Sequence, residues 1–105
     1  MDSHSAPLEL TEAEMMSAEW ALVEFFGRWC LYSALLKPKI AACSSRFGAA
    51  ILVGSLDVDT HAATVRELGI EYVPAVALLH RGSVVERWYG DLPVSVISDA
   101  VERYV

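Results

Sequence analysis

The run from Ala21 to Phe26, ALVEFF, constrains the fold more than any other stretch of this chain. It is nearly all apolar and rich in strand formers. A strand of that kind is buried on both faces, as in a parallel sheet. It therefore demands helices above and below it. At 105 residues and 54% hydrophobic, the chain is one domain's worth and has enough apolar material for one core.

The flanking patterns supply those helices. Leu8-Glu9-Leu10 reads as a short edge strand after a loose tail over residues 1–7, with the folded domain running over 8–105. Thr11 with Glu14 is a capping-box pattern that opens a short helix to about Ser17. Gly27 and Arg28 end the ALVEFF strand. From Cys30 to about Phe47 the pattern is helical: Leu35, Leu36, Ala42 and Cys43 recur at near-helical spacing, and Gly48 closes the run. Pro38 falls inside it and predicts a kink. Ile51 to Val58 is a second apolar strand. Asp59 or Thr60 is expected to cap a helix through Leu68, ended by Gly69. Two more strands, Ala75 to Leu79 and Val84 to Tyr89, are joined by His80-Arg81-Gly82-Ser83, a tight-turn composition. Val94, Ile97, Val101 and Tyr104 trace one face of a last helix. The order β-α-β-α-β-α-β-β-α implies an α/β domain with a mixed central sheet and helices on both faces.

Composition narrows the function. The net charge of −6, from 14 acids against 8 bases, argues against a nucleic-acid partner, which needs a basic face for the phosphates. No apolar stretch approaches the ~20 residues of a membrane span, and the polar N-terminus does not read as a signal peptide. A cytoplasmic monomer with no membrane partner is expected. Two cysteines, Cys30 and Cys43, rule out a disulfide-stapled scaffold, and their spacing suits no zinc site. No cofactor, metal cluster, phosphate loop or catalytic triad is expected. His4, His61 and His80 have no partner that spacing would justify, and Trp20 and Trp88 read as packing residues.

Chemistry concentrates at Trp29-Cys30-Leu31-Tyr32-Ser33, where the buried strand hands over to the long helix. A cysteine at a helix N-terminus faces unpaired backbone N–H groups and the positive end of the helix dipole. Both favour the thiolate, and cysteine pKa values fall from ~8.5 to as low as ~3.5–7.5 in such places. The thiolate is the nucleophile of disulfide exchange. The competing reading is a small buried hydrophobe, the common fate of a free cysteine.

At these residues the chain resembles the thioredoxin family. ALVEFFGRWCLYS is similar to that family's strand, tryptophan and active-site helix start. Pro38 matches its helix-kinking proline. GIEYVPAVALL resembles the segment carrying its cis-proline, here Pro74, and RGSVVERWYGDL resembles its last hairpin and following glycine, Gly90. The likeness runs from about Leu8 to Val105 and implies the thioredoxin fold. It also implies that Cys30 is the attacking cysteine and that Pro74 lies opposite it. The backbone beside Pro74 is then expected to pair with an extended peptide. Tyr72 and Tyr89 either flank the same groove or are rim aromatics.

The departures matter as much. The family's second cysteine, three residues after the first, is Ser33 here. A hydroxyl cannot resolve a mixed disulfide, although Ser33 can hydrogen-bond the Cys30 thiolate. Cys43 cannot resolve it either: it lies roughly 20 Å along the same helix, against about 7 Å between Cα atoms for a disulfide. Cys43 therefore reads as core. Leu31-Tyr32 replaces the family's Gly-Pro, and these side chains either join Trp29, Val73 and Pro74 in a docking patch or pack on neighbouring loops. Glu24, the one charge in ALVEFF, aligns with the family's buried acid, which helps move protons at the cysteine pair, and burial is expected to raise its pKa; the competing reading is a strand acid facing solvent at a sheet edge. The lysine that usually accompanies that acid on the next strand is Ser55 here.

These readings imply a thiol–disulfide oxidoreductase acting through one thiol on a protein or peptide disulfide, with an outside thiol or reductase completing the exchange. Ser33 is then either natural, giving a monothiol enzyme, or an engineered trap of a dithiol reductase. The alternative is a non-catalytic binding or assembly-chaperone module that uses the groove beside Pro74. Iron–sulfur binding in the manner of monothiol glutaredoxins has one cysteine at the right place and no evident glutathione pocket.

Overall fold

A computed structural model describes residues 8–90 and 92–105. The tail expected over residues 1–7, which includes His4, lies outside the described residues. The element order is β1 (Leu8–Glu9), α1 (Glu12–Ser17), β2 (Trp20–Phe26), α2 (Leu31–Phe47), β3 (Leu52–Asp57), α3 (Ala62–Glu67), β4 (Ala75–His80), β5 (Ser83–Tyr89) and α4 (Val94–Tyr104). A 3-10 turn, Gly48–Ala50, follows α2.

The apolar run does what its composition demands. β2 is the middle strand of a five-stranded sheet of order β1-β3-β2-β4-β5. It pairs parallel with β3 and antiparallel with β4, so the sheet is mixed. Every residue from Ala21 to Phe26 is buried. Strand alternation divides them between two layers. Ala21, Val23 and Phe25 meet Met15, Val65 and Leu68, on the side of α1 and α3. Leu22 meets Leu36, Ile40, Cys43, Ile97 and Val101, on the side of α2 and α4.

Local signals explain the ends of several elements. The capping box at α1 forms in full: Glu14 N–H donates to Thr11 Oγ1 at 3.1 Å, and Thr11 N–H donates to Glu14 Oε1 at 2.8 Å. The β4–β5 turn places Arg81 at φ 51° and Gly82 at φ 86°, the two positive values a two-residue hairpin of the favoured hand requires. The helix α2 runs through Pro38 as one element.

Two sequence expectations need correction. The inward stripe of α2 is Leu36, Ile40 and Cys43, whereas Leu35 is 55% exposed and Ala42 is exposed. At about 100° per residue, adjacent residues such as Leu35 and Leu36 cannot share the centre of one buried face. Neither Asp59 nor Thr60 caps α3, whose N-cap is His61. Both are engaged by Asp57 instead: Asp59 N–H donates to Asp57 Oδ1 at 2.9 Å, and the Thr60 hydroxyl to the Asp57 carbonyl at 3.3 Å. A turn held at the end of β3 delays the helix.

Candidate active site

The site grows from the C-terminal end of β2. After Phe26 the chain turns through Gly27, Arg28 and Trp29, closed by a 3.0 Å bond from Cys30 N–H to the Gly27 carbonyl. A Cβ at Gly27 would stand 2.8 Å from the Trp29 indole, so a larger residue there would push that exposed ring aside. Arg28 anchors the turn: its Nε donates to the buried Asp57 Oδ2 at 2.8 Å, and its Nη2 reaches Glu9 at 3.3 Å. Trp29 is 69% exposed, and its indole N–H donates to Asp59 Oδ2 at 3.2 Å.

Cys30 is half-buried and occupies the N-cap position of α2. The first turn of a helix leaves its N–H groups unpaired, so an N-cap side chain stands where negative charge is best tolerated. Leu31, Tyr32 and Ser33 follow as the first helical residues. Their side chains lie outside what the structure describes. Cys43 is fully buried, and desolvation pushes its thiol up from the ordinary value, as a core cysteine requires.

The β2–β4 register, Phe25 opposite Ala75, carries Pro74 to the same end of the sheet. The Val73–Pro74 peptide bond is cis. Gly90, at φ 86°, donates its N–H to the Pro74 carbonyl at 2.9 Å, so it lies beside Pro74. Trp29 and Val73 line one cavity of about 330 Å³, together with Val58, Val65, Ile70 and Tyr72. That shared lining joins the neighbour of Cys30 to the neighbour of Pro74. Tyr72 and Tyr89 meet edge to face at 5.6 Å on the rim, where Tyr89 OH donates to the Gly69 carbonyl at 3.2 Å.

Glu24 lies inside this end of the molecule, with none of its side chain exposed. Desolvation pushes its carboxyl up to about 7 from the ordinary 4.5, while the charge and hydrogen bond of Lys37 pull the other way. Lys37 Nζ stands 3.4 Å from Glu24 Oε1. This lysine is not among the residues that sequence reasoning places at the site. The available signal is its spacing, seven residues after Cys30 and four after Ser33, which places all three on one side of α2. Two histidines have partners that no spacing rule reveals. His61 Nδ1 lies 3.0 Å from Glu12 Oε2, and the His80 ring stacks on Trp20 at 4.2 Å.

Fold and site together define an α/β domain of the thioredoxin fold, with a cysteine at a helix N-cap and a cis-proline at the same end of the sheet. The sequence model of the family described as Thioredoxin matches residues 8–103. This chain belongs to the thioredoxin family. It is 26% identical over 95 residues to "Thioredoxin 2" of Chlorobaculum tepidum, covering 90% of this chain and 87% of that one. It is 25% identical over 100 residues to "Thioredoxin" of Listeria monocytogenes, covering 92% and 97%. Its fold is similar to that of a point-mutant thioredoxin from Halobacterium salinarum NRC-1, with a TM-score of 0.81 at 24% identity, covering 99% of this chain and 95% of that one. At the family level this is a thiol–disulfide oxidoreductase type of protein, acting on protein thiols or disulfides. Among the described residues no helix is long and apolar enough to cross a membrane.

Proposed function

We propose that this protein exchanges disulfides through one nucleophilic sulfur, that of Cys30, and depends on an outside thiol to finish each cycle. The observation that carries the reading is the position of Cys30 at the N-cap of α2, on the turn that presents Trp29 to the cavity it shares with Val73. Trp29, Leu31, Tyr32, Val73, Pro74 and Gly90 form the surface that receives an extended client segment, and Ser33 hydrogen-bonds the thiolate.

The Cys30 thiolate attacks one sulfur of the client disulfide. A Cys30–client disulfide forms as the client's own S–S bond breaks. The second client sulfur leaves as a thiolate and takes a proton, with Glu24 serving as the buried proton store. Ser33 offers no sulfur, so this intermediate waits. An external thiolate then attacks the Cys30 sulfur and expels the client thiolate, and a second external thiol restores Cys30. In sum, two external thiols become one disulfide and the client disulfide becomes two thiols. A cytoplasmic glutathione pool would supply them.

The test is the alkylation rate of Cys30 against pH, paired with reduction of a disulfide substrate with and without glutathione. The reading expects a midpoint well below ~8.5 and turnover only with glutathione. A midpoint near 8.5 with no turnover sinks it and leaves the binding-module alternative. Ser33→Cys should gain turnover with a thioredoxin reductase if the site otherwise retains dithiol machinery.

A further inference from the structure

The cavity shared by Trp29 and Val73 extends beyond the surface beside Pro74 toward α3. Its inner lining is aliphatic: Val65 and Ile70 are buried, and Val58 is half-buried. Trp29 and Tyr72, the latter 67% exposed, stand at its mouth. Glu71 is the one charged residue of the lining, and it is exposed. Among the described residues no cation pairs with its carboxylate. Two cations on adjoining elements are held elsewhere. Arg28 is bound by Asp57 and Glu9, and Arg87 Nη2 donates to the Leu68 carbonyl at 2.8 Å. At about 330 Å³ the cavity lies at the small end of ligand pockets, which run from ~300 to ~1,000 Å³. It suits one side chain better than a cofactor.

Both aromatic walls are braced. The Trp29 indole N–H donates to Asp59 Oδ2 at 3.2 Å, which orients the ring and sets a second carboxylate against it. Tyr72 packs edge to face on Tyr89 at 5.6 Å. The Tyr89 hydroxyl accepts from Glu71 N–H at 3.4 Å and donates to the Gly69 carbonyl at 3.2 Å. One phenol thus steadies the ring of Tyr72 and the backbone of Glu71. Walls held in this way lose little freedom when a ligand enters. The cavity therefore offers an aliphatic interior, two exposed aromatic rings and a carboxylate without a cation. Arginine answers all three. Its methylene stem covers apolar surface, its guanidinium stacks on aromatic faces, and its fork matches a carboxylate. Lysine brings the charge, but its ammonium is compact and more strongly hydrated. An apolar side chain fits the interior and leaves Glu71 unanswered. An acidic one meets like charge at Glu71 and Asp59, on a chain whose net charge is already −6.

We propose that this cavity reads an arginine of the client, with Glu71 and Tyr72 as the residues that determine the preference. The inference rests on Cys30 being the nucleophile, and it narrows the substrate class to disulfides flanked by an arginine. Trp29 directly precedes Cys30, and Val73 directly precedes Pro74. A client segment laid along Pro74 therefore brings its flanking side chains to the mouth of the cavity. Extended chain advances about 3.3 Å per residue, so an arginine a few residues from the client cysteine reaches it. The bound arginine raises the occupancy of the encounter complex and takes no part in sulfur transfer.

The experiment incubates the full chain with disulfide-bonded peptides that carry arginine, citrulline, lysine, leucine or glutamate at one position. That position is walked along the residues flanking the peptide's cysteine, and the rate of adduct formation at Cys30 is read by intact mass. At the best position arginine should outpace citrulline, its neutral isostere, about tenfold. That ratio should fall to about threefold or below in Glu71→Gln and in Tyr72→Leu. Both residues are exposed, so neither change disturbs the core. An arginine preference of equal size at every position is general attraction to an acidic protein and overturns the proposal. So does a preference that either variant leaves intact. A leucine peptide that outpaces the arginine peptide gives the cavity to an apolar side chain and overturns it as well. Adducts that form at one rate with every peptide remove the inference and leave Cys30 as the nucleophile. No adduct with any peptide removes both.

Discussion

The two faces of the sheet are built from different materials. Against α1 and α3 the buried layer is apolar: Met15, Ala21, Val23, Phe25, Leu56, Val65, Leu68 and Leu79 among others. The buried polar and charged residues among the described ones are Glu24, Ser55, Asp57 and Ser98. By strand alternation the first three face α2 and α4, and Ser98 lies on α4 itself. One face is a packing surface and the other holds ionisable groups beneath the helix that carries Cys30. The polar groups cost stability where they are buried. Their concentration on the side of α2 and α4 marks the face where charge is managed.

Substitutions on the two faces should therefore fail in different ways. The largest effect belongs to the apolar face. Phe25→Ala removes a fully buried ring and should cost about 3–5 kcal/mol, read from urea unfolding. Cys30 in the folded fraction should keep its alkylation profile. A shifted profile would show that the apolar face also tunes the thiol.

Next is the charged face. The Glu24 carboxyl has a folded pKa of about 7 against 4.5 ordinarily. Between those values the folded chain keeps a proton that the unfolded chain has lost. Stability from this group is complete below about pH 4.5, declines as pH rises toward 7, and is level above that. The decline should amount to roughly 3 kcal/mol at 1.36 kcal/mol per pH unit. Glu24→Gln should abolish that part of the slope in urea midpoints taken from pH 4 to 8. An unchanged slope would mean that Glu24 ionises as it does in water.

The smallest effect returns to the apolar side. Thr11→Ala removes the α1 capping box and should cost about 1 kcal/mol. Amide exchange should quicken in Glu12–Ser17 while the Glu24 midpoint stays fixed. Movement of that midpoint would show the two faces to be coupled through the sheet.

Much of this division is legible in the sequence, for identifiable reasons. ALVEFF announces a strand buried twice over, and Thr11 with Glu14 announces a helix start, because both signals are local. Glu24 stands out as a charge in an apolar strand, and the structure buries it fully. That Cys30 and Pro74 belong to the same end of the sheet is legible only through the family resemblance, since no local rule joins residues so far apart in the chain. Lys37 escapes notice because its partners Glu24 and Phe26 belong to another element. The α3 start is misplaced because Asp57 captures both Asp59 and Thr60, a competition within one turn that capping preferences do not weigh. The roles of Leu31, Tyr32 and Ser33 rest on sequence, since their side chains lie outside the described residues.

The central claim is that exchange at Cys30 halts at a mixed disulfide for want of a sulfur at position 33. Intact-mass spectrometry tests it directly. The protein is incubated with a disulfide-bonded peptide, sampled over time, and then treated with glutathione. The account predicts one peptide joined to Cys30, stable until glutathione is added and then released as free thiol. Rapid release of the peptide in its reduced form without any added thiol, or no adduct at Cys30 at all, would contradict it.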